Sequence, residues 1–385
     1  MSRRPDGRPI PAADALGRGA GSRLAFVDGL RGIAALAVVV QHTASYYWPT
    51  FEVFSERRFG LGAFAVTLFF LCSGFVIPTS LDRHNSLMQF WIGRVCRLYP
   101  LYWCSVGAAL ALGLAGRFPL PRQGDALGQT AALNLTMVQM LLGVPNLIGD
   151  YWTLCFEMLF YLLISLLFLL RLHRRSEWIV GLLFLSPLLS RVVGPRLLGG
   201  PIVPDLSGVA LTLGLMFIGS VAYRWYDGAL GTPVASVVAS LVLLGTIAAI
   251  VPSGGGVGLV AALRDGDLAL GRTLSHLGAY GVFGFVLWRR RLPAFFPALG
   301  LLSYSIYLSH RLIFTALPLV GGLLPTALLS FGLTLLLSVA TYHLIERPGM
   351  AFGKRLVARY AAWRERGAAR RAAVPGTFRR FGDLR

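Results

Sequence analysis

In the run FVDGLRGIAALAVVVQH, from Phe26 to His42, an arginine and a histidine are separated by residues that are almost all small and apolar. Eleven steps of about 100° bring Arg31 and His42 back to within about 20° of one helix face, roughly 16 Å apart along the axis. A bilayer-spanning helix would then carry a guanidinium at its edge and an imidazole near mid-depth, both pointing the same way. Ionisable groups are costly in hydrocarbon, so such a pair marks a site more often than an accident of packing. Neutral imidazole can take a proton from a hydroxyl near pH 7, or accept a transferred group itself. Two more ionisable residues fall inside apolar stretches: Glu157 in DYWTLCFEMLFYLL and His310 in LGLLSYSIYLSHRLIF. Counted from the ends of their stretches at about 1.5 Å per residue, His42, Glu157 and His310 come out at about 18, 22 and 20 Å from one edge. Three helices are thus expected to bring an imidazole, a carboxyl and a second imidazole to similar depth.

Arg94 and Arg97 stand three apart in FWIGRVCRLYPLYW, read as a loop just before Tyr99 and Pro100 open the next helix. With Arg31 they would place three guanidinium groups at one end of the bundle, a donor set suited to a phosphorylated ligand.

The elements that must hold these residues are membrane helices. Hydrophobic residues make up 55% of the 385 and charged ones only 14%, with a mean hydropathy of +0.65. A water-soluble domain of this composition would expose large apolar patches. The expected fold is an all-α integral membrane protein with about ten transmembrane helices in one bundle, near 30–48, 61–80, 99–116, 152–171, 177–193, 206–223, 232–251, 268–288, 297–318 and 323–345. The stretch 127–147 carries Gln129, Asn134, Thr136, Gln139 and Asn146, and reads as a re-entrant or packed segment. The net charge of +19 does not point to nucleic acid. With a cytosolic N-terminus and ten crossings, most of the 36 lysines and arginines fall in segments facing the cytosol, as the positive-inside rule requires.

Residues 1–23 read as a disordered basic cytosolic leader, 24–348 as the membrane domain, and 349–385 as a basic cytosolic tail, partly an amphipathic helix on the inner leaflet. Glu346, Arg347 and Pro348 are expected to end the last membrane helix. Ser73 and Gly74 suit close helix packing or a ligand contact. Cys72, Cys96, Cys104 and Cys155 lack metal-type spacing and read as buried small hydrophobes. No metal site is expected.

Six segments in order then resemble the acyltransferase 3 family, membrane-bound O-acyltransferases of bacterial polysaccharides and secondary metabolites. They are the Arg31 to His42 spacing, VTLFFLCSGFVIPTSL with Ser73, Gly74 and Phe75, the Arg94/Arg97 pair, WTLCFEMLFYL with Trp152, Glu157, Phe160 and Tyr161, SYSIYLSH with Ser303, Tyr304, Tyr307 and His310, and HLIERP at His343 to Pro348. The resemblance covers about residues 24 to 350. Thr153 stands where the family usually has serine, which keeps the hydroxyl.

The resemblance implies an enzyme that moves an acyl group, most often acetyl from acetyl-CoA, to a hydroxyl of a sugar in a cell-envelope or exported glycan, lipopolysaccharide among them, or of a small metabolite such as a macrolide. It also implies a bacterial inner membrane location with both termini cytosolic. In that frame Arg31, Arg94 and Arg97 would hold the CoA nucleotide and His42 would act as base or acyl carrier. Glu157, His310 and Tyr304 would serve the chemistry, and Ser73, Trp152, Tyr307 and Ser303 would line the substrate path. A transporter or flippase also places ionisable groups at mid-membrane, but no inverted repeat or matched pair of Gly/Pro breaks is visible.

Overall fold

A computed structural model describes residues 24–84, 86–121, 124–183, 207–250 and 268–372. The expected leader at 1–23, most of the expected span at 177–193 and the end of the tail lie outside the described residues.

Among the described residues every regular element is helical. In chain order they are α1 (Ala25–Tyr47), α2 (Pro49–Arg58), α3 (Leu61–His84), α4 (Leu87–Leu114), α5 (Asp125–Asn134), α6 (Trp152–Leu169), α7 (Ser207–Tyr226), α8 (Thr232–Ile250), α9 (Leu268–Arg289), α10 (Phe295–Ala316), α11 (Leu323–Thr341) and α12 (Arg347–Ala372). Short 3₁₀ turns at Gln139–Leu142 and Gly149–Tyr151 precede α6. Among the described residues, six helical stretches are long and apolar enough to cross a bilayer. The helices α9 and α10 have 22 residues each but carry Arg272, His276, His310 and Arg311, which dilute their hydropathy. Large apolar side chains such as Leu166, Leu169, Leu328 and Leu336 face outward, as expected of surface that meets lipid. The chain is a multi-pass membrane protein.

The axis of the site is the crossing of α1 with α10, which approach backbone to backbone. A Cβ on Gly300 would fall 1.7 Å from the Asp28 carbonyl oxygen, and one on Gly32 would fall 2.2 Å from that of Phe296. In lipid, where apolar contact alone does not drive helices together, such small-residue seams supply the close packing. A second seam joins α3 to α7, where a Cβ on Gly74 would fall 1.7 Å from the Met216 carbonyl oxygen. Gly74 is therefore a packing residue. Gly300→Val is expected to force α1 and α10 apart, at a cost of at least about 1–3 kcal/mol. Fluorescence-detected size-exclusion of the tagged protein should show a lost or broadened monodisperse peak, whereas Gly107→Ala, at a position with open space around it, should not.

Two expectations about helix ends are corrected. The segment around Arg94 and Arg97 is not a loop: α4 starts at Leu87 and Pro100 lies inside it. Proline cannot donate to the carbonyl four residues back, so the Cys96 oxygen is released, and α12 packs there through Gly349, whose Cβ would fall 2.5 Å from that oxygen. Nor does the Glu346-Arg347-Pro348 segment end the last helix. A π turn at Tyr342–Glu346 carries α11 into α12, with the Arg347 N–H bonded five residues back to Tyr342. The wider turn sets Pro348 at the opening of a new helix, where its missing N–H is tolerated. Glu346, 1% exposed, accepts from Ser305 Oγ at 3.0 Å and lies 3.9 Å from Arg97 Nε, tying α4, α10 and the π turn together.

The 127–147 stretch forms no long helix. After α5 its irregular backbone is held by side chains: Asn134 Nδ2 donates to the carbonyls of Thr130 and Pro145, and Asn134 Oδ1 accepts from Leu147 N–H at 2.9 Å. Tyr99, Tyr102 and Trp103 of α4 donate to the carbonyls of Thr136, Asn134 and Leu135. Of the cysteines, Cys72 and Cys155 are buried and Cys96 partly so, but Cys104 is exposed on the outer face of α4, correcting its expected burial. A thiol tolerates an apolar surround, so lipid can take the place of protein there.

Candidate active site

The α1/α10 crossing sets His42 against His310, with ring centroids 5.2 Å apart. Between them stands Asp150, from the turn that opens α6. Its Oδ2 is 3.2 Å from His42 Nδ1 and 3.3 Å from His310 Nε2, without aligned hydrogen-bond geometry to either, and its Oδ1 accepts from Arg311 Nη1 at 3.0 Å. The carboxylate is pinned from behind: the Tyr307 hydroxyl donates to the Asp150 main-chain carbonyl, and Thr153 Oγ1 lies 2.6 Å from that hydroxyl. The Thr153 hydroxyl that replaces the family's usual serine thus has a definite partner.

Ring contacts set the roles of the nitrogens. His310 Nδ1 is 2.7 Å from the Tyr307 carbonyl, which can only accept, so Nδ1 carries the proton and Nε2 bears the lone pair of the neutral ring. His42 turns Nδ1 to Asp150, which favours a proton there and leaves Nε2 as the free ring nitrogen. His310 is wholly buried, whereas His42 is 25% exposed and lines a chamber of about 810 Å³. The pair is therefore inequivalent: one imidazole reaches solvent and the other is buried beside the same carboxylate. The three ligand atoms lie within 4.8 Å of one another, a spacing a metal ion would fit. Arg311, however, already neutralises Asp150 and weakens its pull on a cation, so the cluster suits proton handling better than metal binding.

The basic end is organised differently. Arg31, Ser73, Glu157 and Tyr304 line both of two small cavities of about 50 and 30 Å³, and the smaller also touches Arg94 and Arg97. The larger shares Val66 and Phe70 with the main chamber, so the three cavities lie side by side between His42 and the guanidinium groups, divided by side chains. Arg94 lies over the rings of Phe90 and Tyr161, 5.4 and 5.6 Å from their centroids. Both narrow cavities hold no more than a few waters, and Phe70 stands between the larger of them and the main chamber.

The residues expected to share one depth therefore separate into two groups. His42 and His310 meet; Glu157 does not join them. Glu157 Oε1 accepts from the Tyr161 hydroxyl and lies 3.5 Å from Ser73 Oγ, on the wall of the narrow passage beside Arg31. Tyr304 also lines that passage, its hydroxyl donating to the Leu98 carbonyl at 2.8 Å. Ser303 lines the same passage and donates to the Gly300 carbonyl, Tyr307 links the passage to the triad of His42, Asp150 and His310, and Trp152 faces the main chamber. Asp150 escaped sequence reasoning because an acidic residue just before a helix reads as a complement to the helix dipole. The one available signal was its position directly ahead of the Trp152 motif.

A family model described as an acyltransferase domain matches residues 24–343. Acyltransferase MdmB of Streptomyces mycarofaciens is 32% identical over 154 residues, which are 36% of this chain and 38% of the relative. Exopolysaccharide production protein ExoZ of Rhizobium meliloti (strain 1021) is 30% identical over 152 residues, 36% of this chain and 44% of the relative. The chain thus spans less than half the length of these curated relatives. No solved structure matches.

Proposed function

We propose that this chain, which belongs to the acyltransferase domain family, is a membrane-embedded O-acyltransferase that moves an acyl group from acyl-CoA to a hydroxyl of a glycan or small metabolite. The observation that carries the reading is the inequivalent histidine pair about Asp150, with His42 lining a chamber that shares a wall with narrow cavities leading toward a cluster of guanidinium groups.

The CoA phosphates bind Arg31, Arg94 and Arg97, and the pantetheine arm threads the passage past Ser73 and Tyr304. The acyl carbonyl thereby reaches the chamber while the nucleotide stays at the basic end. The acceptor hydroxyl gives its proton to His42 Nε2 as its oxygen attacks the thioester carbon. Asp150 holds the imidazolium that forms, with Arg311 fixing the carboxylate through its other oxygen. Collapse of the tetrahedral intermediate breaks the carbon–sulfur bond and releases the thiolate, which takes up a proton to leave as CoA thiol. Acetyl is the acyl group, and a sugar hydroxyl in an exported glycan the acceptor, that we favour.

The same reading places the protein in a bacterial inner membrane with both termini cytosolic. It gives the chain ten crossings, with the 127–147 segment dipping in without crossing and α12 lying on the inner leaflet. Phe352 and Trp363 of α12 are exposed among its arginines, a pattern that suits an anionic membrane surface.

Purified protein given acetyl-CoA and acceptor should release one thiol per acetyl group transferred; a transporter or scaffold should release none. Arg94→Gln is expected to raise the acetyl-CoA KM about tenfold and leave the acceptor KM alone, because a guanidinium–phosphate pair contributes about 1–2 kcal/mol. The reverse split in initial-rate data would put CoA elsewhere. Chelation with EDTA should leave turnover unchanged; loss restored by added zinc would make the triad a metal site.

A further inference from the structure

The main chamber has a second wall that the proton-transfer machinery does not use. It is built where α2 meets α9: a Cβ on Gly271 would fall 1.9 Å from the Glu56 carbonyl oxygen, so the two backbones touch. This contact fixes Glu52 and Glu56, one helical turn apart on α2, opposite Arg272 and His276, one turn apart on α9, and all four line the chamber. Among the described residues, none of Glu52, Glu56 and Arg272 makes an ion pair, although carboxylates and guanidinium share one cavity. His276 is set as an acceptor. Thr67 spends its only hydroxyl proton on the Ala63 carbonyl at 2.7 Å, so the 2.8 Å contact with His276 Nδ1 must be donated by the ring. The neutral ring then keeps a lone pair on Nε2.

We propose that this wall is the acceptor subsite and that it selects a neutral or amino-bearing polyhydroxyl group over an acidic one; the inference rests on the acyl-transfer reading above. Glu52, Glu56 and His276 Nε2 accept from acceptor hydroxyl or ammonium groups, and Arg272 donates to an ether or hydroxyl oxygen. Asp150 and Arg311 cancel each other, so the unpaired charges on the wall are two carboxylates against one guanidinium. The excess is negative, and a uronate or phosphate brought to this wall meets net repulsion, although Glu52 and Arg272 are exposed and water screens part of it.

The test has two arms on the full-length protein. In the first, methyl glucoside, methyl glucosaminide and methyl glucuronide are compared as acceptors with radiolabelled acetyl-CoA. The glucuronide is expected to be at least about tenfold poorer in kcat/KM, and the gap to narrow in the E52Q/E56Q variant. In the second, a Ser45→Cys variant, carrying Cys104→Ser to remove the exposed native thiol, is labelled with cationic and anionic methanethiosulfonates. The cationic reagent is expected to react about fivefold faster after correction for intrinsic reactivity, and the preference to vanish in E52Q/E56Q. Equal labelling rates, an anionic preference, or a glucuronide that is the best acceptor overturns the charge assignment. If no sugar is acetylated while the labelling preference holds, the sugar-acceptor reading falls and the charged wall stands.

Discussion

His42→Ala is expected to reach the membrane at normal levels and to lose about 10²–10⁴-fold in kcat, the range associated with a positioned general base. The expectation of normal folding comes from its surroundings. His42 is 25% exposed at the chamber wall and packs by ring contact with His310, while the seam that joins α1 to α10 lies two to three turns away at Gly32 and Gly300. Truncation there removes a proton acceptor without opening a closed core. The acetyl-CoA KM should stay within about twofold, because the guanidinium groups that hold the donor are untouched. Membrane quantitation with single-turnover acetyl transfer checks both halves. An inactive variant that fails to accumulate would make His42 a structural residue, and one with normal turnover would remove it from the chemistry.

Asp150→Asn is the second large effect, expected at about 10²–10³-fold in kcat with both KM values little changed. An asparagine keeps the shape but not the charge. It cannot stabilise an imidazolium on His42, and it leaves Arg311 without its partner at the chamber edge. The contrast that gives the variant its meaning is Glu157→Gln. If Asp150 backs the base, Glu157→Gln should act on acetyl-CoA binding, since Glu157 sits in the passage beside Arg31, Ser73 and Tyr161. A kcat collapse in Glu157→Gln with Asp150→Asn near wild type would reverse the two assignments.

That reversal is what the sequence alone would have suggested, for a physical reason. Counting residues along a helix gives the depth of a side chain but not which wall of the bundle it faces. Glu157, His42 and His310 lie at comparable heights by that count, yet only the histidines share a wall, because glycine contacts fix the rotation of α1 against α10. The histidines and Arg31 were legible because helical phase follows directly from their spacing. Asp150 was not, because it precedes the apolar stretch and resembles an ordinary helix-start acid. The loop expected around Arg94 and the helix stop expected at Pro348 both came from reading proline as a boundary. Neighbouring helices satisfy or replace the bonds that proline removes, and α4 runs through Pro100 while a π turn absorbs Pro348. The second wall of the chamber was equally hidden, since Glu52 and Glu56 on one side and Arg272 and His276 on the other are brought together only by the packing of Gly271 on α2.

The central claim is that a thioester enters at the guanidinium end and reaches His42 through the narrow passage. An experimental structure with a non-hydrolysable acetyl-CoA analogue tests it directly. Density for the nucleotide at Arg31, Arg94 and Arg97, with the pantetheine arm displacing Phe70 and the acyl carbonyl beside His42, is the predicted result. An analogue bound elsewhere, with the passage between Ser73 and the chamber still closed, would contradict it.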